Sequence, residues 1–191
     1  MSETPSPGDN TTPTHVALLR GINVGGKNLI RMPDLVRCFE AGGFRAVATY
    51  IQSGNVIFAS DEPDPAALEP QLEALLLARF GLRIGVVVRS AAQVRDIVKD
   101  APPGFGTEPA ECRYDVIYLK DLDAETAIAV VPAHPEVDRV HAGPGVLYYS
   151  RLTGRATASR LSRLASMPLY QRVTIRNWNT TLKLHQLLAR S

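Results

Sequence analysis

The sequence predicts an α+β fold made of two ferredoxin-like halves (α/β plaits), each a βαββαβ unit with an antiparallel sheet and an extra helix. Three observations carry this reading. Short apolar, strand-like runs alternate with longer segments of helical periodicity in the order strand, helix, strand, strand, helix, strand, helix. The stretch Ala101-Pro102-Pro103-Gly104-Phe105-Gly106-Thr107-Glu108-Pro109 then breaks regular structure. After it the order of elements begins again, which suggests a duplication even though no residue-level repeat accompanies it.

In the first half, residues 15–20 read as a strand and 33–41 as a helix, with Pro33 in its first turn. Residues 46–51 and 56–59 form a hairpin around Ser53-Gly54-Asn55, because Gly and Asn tolerate the left-handed backbone of a tight turn. Residues 65–80 are helical, 83–89 a strand and 91–100 a helix. In the second half, 114–119 is a strand, 123–131 a helix, 137–141 and 146–150 a hairpin around Ala142-Gly143-Pro144-Gly145, 159–167 a helix, 172–175 a strand and 178–189 a final helix. The domain plan is therefore a disordered tail over 1–13, one half over 14–101, a linker over 102–109 and a second half over 110–191. In a plait of this order the loop after the first strand and the turn between the second and third lie at the same end of the sheet.

Composition narrows the class. The chain has 191 residues, of which 45% are hydrophobic, as in an ordinary globular protein with a real core. The tail lacks the apolar segment of a signal peptide, and nothing approaches the ~18 apolar residues of a membrane span. A cytoplasmic protein that does not engage a membrane is expected. Cys38 and Cys112 are far apart without metal-like spacing, which suits two reduced thiols. The net charge of +2 is uneven: residues 139–191 hold 9 Lys or Arg and no acid, whereas residues 1–138 hold 12 against 19 acids. That cationic block is an electrostatic footprint for nucleic acid or a phosphorylated small molecule, or else the partner of the acidic part across a domain contact.

Three polar strings sit at the ends of predicted strands. The first, Gly21-Ile22-Asn23-Val24-Gly25-Gly26-Lys27-Asn28, comes within one residue of a phosphate-binding P-loop. Asn28 replaces the magnesium-binding hydroxyl and Pro33 delays the helix, so nucleotide hydrolysis by that route is not expected. Gly-rich N–H groups with Arg20 and Lys27 remain able to bind an anion, the alternative being that Asn23 and the glycines only build the turn. The second, Gln52-Ser53-Gly54-Asn55, is hairpin chemistry in which Gln52 is free to read a ligand. The third, Arg176-Asn177-Trp178-Asn179-Thr180, places Asn177 as the N-cap of the last helix, with Lys183 one turn beyond Asn179 on the same face. A helix start flanked by Arg176 suits an anion, and the alternative is a capped helix whose Trp plugs an interdomain groove.

Together these strings resemble those of the bacterial family catalogued as domain of unknown function 1697, over nearly all of residues 15–188. The resemblance implies a fold and no activity. The residues themselves favour a protein that binds a phosphate-bearing ligand, nucleic acid or nucleotide, through Arg20, Asn23, Lys27, Asn28, Gln52, Ser53, Asn55, Arg176, Asn177, Asn179 and Lys183. The alternatives are a metal-independent enzyme on a small anionic metabolite and a protein-protein interaction module. No catalytic set, metal site or cofactor is expected, because His15, His134, His141 and His185 lack companions at ligand spacing and no Ser-His-acid set declares itself.

Overall fold

The computed structural model describes residues 12–189, so most of the 1–13 segment lies outside the described residues. Each half forms one four-stranded antiparallel sheet. The first contains β1 (His15–Leu19), β2 (Arg45–Tyr50), β3 (Asn55–Ala59) and β4 (Val86–Ser90) in the order β2-β3-β1-β4. The second contains β5 (Cys112–Leu119), β6 (Asp138–Gly143), β7 (Val146–Leu152) and β8 (Val173–Asn177) in the order β6-β7-β5-β8. These are the two ferredoxin-like halves that the element order predicts. β3 pairs antiparallel with both β1 and β2, so β1 and β2 run parallel, and Asn55 faces both Leu18 and Tyr50 in register.

Among the described residues five α-helices complete the halves: α1 (Met32–Ala41), α2 (Pro65–Phe80), α3 (Ala91–Lys99), α4 (Ala124–Val130) and α5 (Trp178–Ala189). Their ends are written locally. The Asp64 carboxylate accepts from the Ala66 N–H at the start of α2, and Gly81 takes a left-handed conformation to end it. Ser90 and Gln93 form a reciprocal capping box on α3. The helix expected over 159–167 is instead a chain of 3₁₀ turns, Thr153–Ala158, Leu161–Ser166 and Pro168–Arg172. Ser159 and Met167 are extended, the latter because Pro168 disfavours helical backbone before it, and the buried Leu161 and Leu164 recur at the three-residue period of a 3₁₀ turn.

Continuous apolar strands rather than alternating ones follow from layering. One face of β1 (Ala17, Leu19) packs beneath α1 and α2, while the other (Val16, Leu18) enters a shared core. That shared core also takes Val116, Tyr118, Val146 and Tyr148 from the second sheet, with Ile97 of α3 and Leu184 and Leu188 of α5. A strand buried on both faces has no reason to alternate. The second sheet's remaining face is covered by α4 and the 3₁₀ turns. The linker is pinned as well: Phe105 meets the rings of Tyr114, Tyr148 and Trp178 edge-on.

Three tyrosines carry hydroxyls into these cores. Tyr118 donates to Thr181 Oγ1 at 3.1 Å, Tyr148 to the Ile97 carbonyl at 2.6 Å and Tyr149 to the Pro132 carbonyl at 2.9 Å. Burial pushes all three phenols above their ordinary value. Since the unfolded chain ionises near a pH of about 10 and the folded one later, their contribution to stability is intact below that pH and is lost as pH rises above it. Tyrosinate absorbance from these three is expected to rise only together with loss of circular dichroism. Full ionisation of all six tyrosines with the fold intact would contradict this.

Candidate functional site

A cleft of about 500 Å³ lies between the halves. Its walls come from the end of β1, α2 and the segment before β4 on one side, and from the end of β5 and the start of β8 on the other. Four cations line it, Arg20, Arg83, Lys120 and Arg172, against two acids, Glu73 and Asp121. Leu77 and Ile84 supply an apolar wall.

Two of these cations are held. The Arg20 guanidinium lies against Gly85, where a Cβ would stand 3.1 Å away, and crosses to the second half. There it donates to the Tyr170 carbonyl at 3.2 Å, the Gln171 carbonyl and Gln171 Oε1 at 2.8 Å. Lys120 reaches the other way, donating to Glu73 and lying 3.6 Å from Glu69 Oε2. Glu69 is 4% exposed and also accepts the Val88 N–H at 3.0 Å. Burial raises its carboxyl against the pull of that N–H, Lys120 and Arg89. Arg89, whose guanidinium burial lowers, donates across the boundary to the Leu119 and Gly145 carbonyls. Arg83 and Arg172 are exposed, and neither has an ion pair among the described residues. Glu73, Arg83, Lys120, Gln171 and Arg172 were invisible to motif reading, since no local pattern joins them.

The polar strings divide among three places. The first two do converge at one end of the first sheet: Asn23 Nδ2 donates to the Gln52 carbonyl at 3.0 Å and to the Ile30 carbonyl at 2.9 Å, while its Oδ1 accepts the Ile30 N–H at 2.8 Å. Asn28 Nδ2 donates to the Gly21 carbonyl at 3.0 Å, and both Asn23 and Asn28 have positive φ. Asn55 Nδ2 donates to the Tyr50 carbonyl and Ser53 Oγ. These amides are occupied in building turns. Lys27 and Gln52 are exposed at the tips, beside exposed Val24, Leu29 and Ile51.

The third string joins them through one residue. Strand alternation turns Arg176 toward the first half and Asn177 to the opposite face. Arg176 is 7% exposed, and burial lowers its guanidinium to about 10. Its Nη2 donates to the carbonyls of Leu19 (2.9 Å), Ser53 (3.0 Å) and Gly54 (3.2 Å), and its Nε donates to Asn55 Oδ1 at 2.5 Å. Nη1 donates to Thr174 Oγ1 and the Ile175 carbonyl. The side chain read as an anion ligand thus ties the halves through oxygen acceptors. Asn177 Oδ1 caps α5 by accepting the Thr180 N–H at 2.7 Å, Asn177 and Asn179 line a separate cleft with Trp178, and Lys183 stands half-buried one turn on.

Four cations of the block are engaged within their own half. Arg151 pairs with Asp115 and Arg155 with Glu136, both at 3.1 Å, and Arg139 and Arg160 donate to the Pro135 and Ala133 carbonyls. Among the described residues no helix is long and apolar enough to cross a membrane, and no group of three or more His, Cys, Asp or Glu is placed to hold a metal ion.

The same architecture occurs in a conserved bacterial protein from Streptococcus pneumoniae, 26% identical, with a TM-score of 0.80 over 92% of this chain and 98% of that one. No curated protein matches in sequence. Residues 13–148 match the family model described as protein of unknown function (DUF1697), and the chain belongs to that family.

Proposed function

We propose that this protein binds a phosphate-bearing small molecule, a nucleotide in preference to a nucleic acid chain, in the cleft between its halves. The observation that carries the reading is the pair Arg83 and Arg172, exposed, contributed by opposite halves and without ion pairs among the described residues, flanking a cavity of about 500 Å³. Such a volume falls within the ~300–1,000 Å³ usual for ligand pockets. Arg20 adds positive potential from a fixed position, while Lys120 is offset by Glu73 and Glu69, and Leu77 and Ile84 offer a surface for a base or another apolar body. An extended nucleic acid chain is less well served, because much of the cationic block already pairs with acids or carbonyls.

Calorimetric titration with ATP, ADP and a short RNA across salt concentrations tests the reading. A nucleotide should bind, more weakly as salt rises, and Arg83→Ala or Arg172→Ala should each weaken binding about 10-fold or more, since a hydrogen bond to a charged group contributes about 1.5–3 kcal/mol. Both positions are exposed, so stability should stay within about 0.5 kcal/mol of the parent. Absence of salt-sensitive binding to any probe, or binding that ignores both substitutions, would overturn the proposal.

A further inference from the structure

A second cleft, of about 340 Å³, opens at the opposite end of β5 from the interdomain cleft, where β7 and β8 meet the start of α5. Register defines its chemistry. Arg113 and Asp115 lie two apart on β5 and share a face, Arg151 stands directly opposite Arg113, and Asn177 directly opposite Asp115. Farther along, the same face is apolar core, formed by Ile117, Leu147 and Tyr149. At this end it becomes charged.

Like charges directly opposed on an antiparallel pair destabilise it, and two arginines here share a single carboxylate. Asp115 is 9% exposed, and its ion-pair partner among the described residues is Arg151, whose Nη2 lies 3.1 Å from Oδ2. That contact lacks hydrogen-bond geometry: Asp115 Oδ2 and Arg151 Nε are both buried without a hydrogen-bond partner in the protein. Buried polar atoms are normally satisfied, so this pair is unusual. Burial also raises the Asp115 carboxyl despite the two arginines. Beside it lie the side chains of Asn177 and Asn179 and the first turn of the 12-residue α5. Trp178 forms a rigid wall, since Gly106 packs so near that a Cβ there would stand 2.3 Å from the indole nitrogen.

We propose that this cleft is a second binding site, for a small anion that carries its own hydrogen-bond donor, an ammonium or a hydroxyl. The anionic group is received by Arg113, Arg151 and the start of α5, where guanidinium donors and helix N–H groups act together. The donor is received by the Asp115 carboxylate. The site shares no residue with the interdomain cleft and stands independently of the function proposed there.

Trp178 is the chain's sole tryptophan, so its indole N–H resonance reports on this cleft selectively. The full chain would be titrated with ethyl phosphate, which has no second polar group, and with 2-hydroxyethyl phosphate and O-phosphoethanolamine, which add a hydroxyl or an ammonium. Saturable shifts are expected, with the donor-bearing probes binding about tenfold tighter, as one charge-assisted hydrogen bond allows. Asp115→Asn should erase that advantage. Arg113→Ala, at an exposed position that leaves the fold alone, should weaken all three probes about tenfold. Arg83→Ala and Arg172→Ala should leave the indole titration unchanged, which separates this site from the other. No saturable shift, equal affinity for the three probes, or an Arg113→Ala titration identical to the parent's would overturn the proposal.

Discussion

Replacing Arg176 with methionine is expected to lower stability by about 3 kcal/mol or more, the largest loss from any side-chain truncation at the polar strings. Two effects oppose each other. A guanidinium that burial lowers to about 10 costs desolvation energy, and removing it recovers that cost. Against this, the Leu19 and Ser53 carbonyls and Asn55 Oδ1 all lose a donor at a site too enclosed for water to replace freely. Each orphaned acceptor costs about 1–3 kcal/mol, so three of them outweigh the recovered desolvation. Arg176→Lys should fall between, because a single ammonium cannot span acceptors on β1, the β2–β3 turn and β8. The measurement is urea unfolding followed by circular dichroism. Because Arg176 ties the halves, a transition that splits or a reduced denaturant slope would accompany the loss. A methionine variant as stable as the parent would show that the halves are held by the apolar core alone.

The part of this molecule legible in its sequence is the part fixed by local and periodic signals. Runs such as Val86-Val87-Val88 and Val116-Ile117-Tyr118 announce strands because both faces are buried, and the order of elements then leaves one common topology. Pro65 and Gly81 bracket α2 at its sequence-predicted limits. Residues 159–167 misled because Leu161 and Leu164 satisfy helical and 3₁₀ spacing alike, and because, although Pro168 marks Met167 as extended, no local pattern marks the break at Ser159. The first string was legible as a turn, and Gly21, Asn23, Gly25, Gly26 and Asn28 do take positive φ; in the hairpin Gly54 does so with Ile51, whereas Asn55 is already the first residue of β3. What Arg176 touches was not, because its direction depends on how the sheets dock. The interdomain cleft was hidden for the same reason: Arg83 and Arg172 meet only after two separately encoded sheets have packed.

Gly54→Ala separates turn chemistry from ligand chemistry at the second string, and a loss of about 3 kcal/mol is expected. Gly54 has a φ of +76°, where an L side chain costs of order 1 kcal/mol. Its Cβ would also stand 2.9 Å from both Leu19 Cβ and Ile22 Cγ1. Neither neighbour yields easily: Ile22 is 1% exposed, and Leu19 is locked to the turn by its own N–H, which donates to the Gly54 carbonyl at 2.8 Å. Overpacking of this kind adds about 1–3 kcal/mol. Gly25 is the control. Its φ of +58° is similar, yet a Cβ there meets nothing within 4 Å, so Gly25→Ala should cost only the backbone strain, about 1 kcal/mol. Thermal melts of the two variants therefore isolate the steric contribution. A Gly54→Ala variant that melts with Gly25→Ala would mean that β1 and the turn are not packed as tightly as these distances require, and that the anchorage of Arg176 on the Gly54 and Ser53 carbonyls is looser as well.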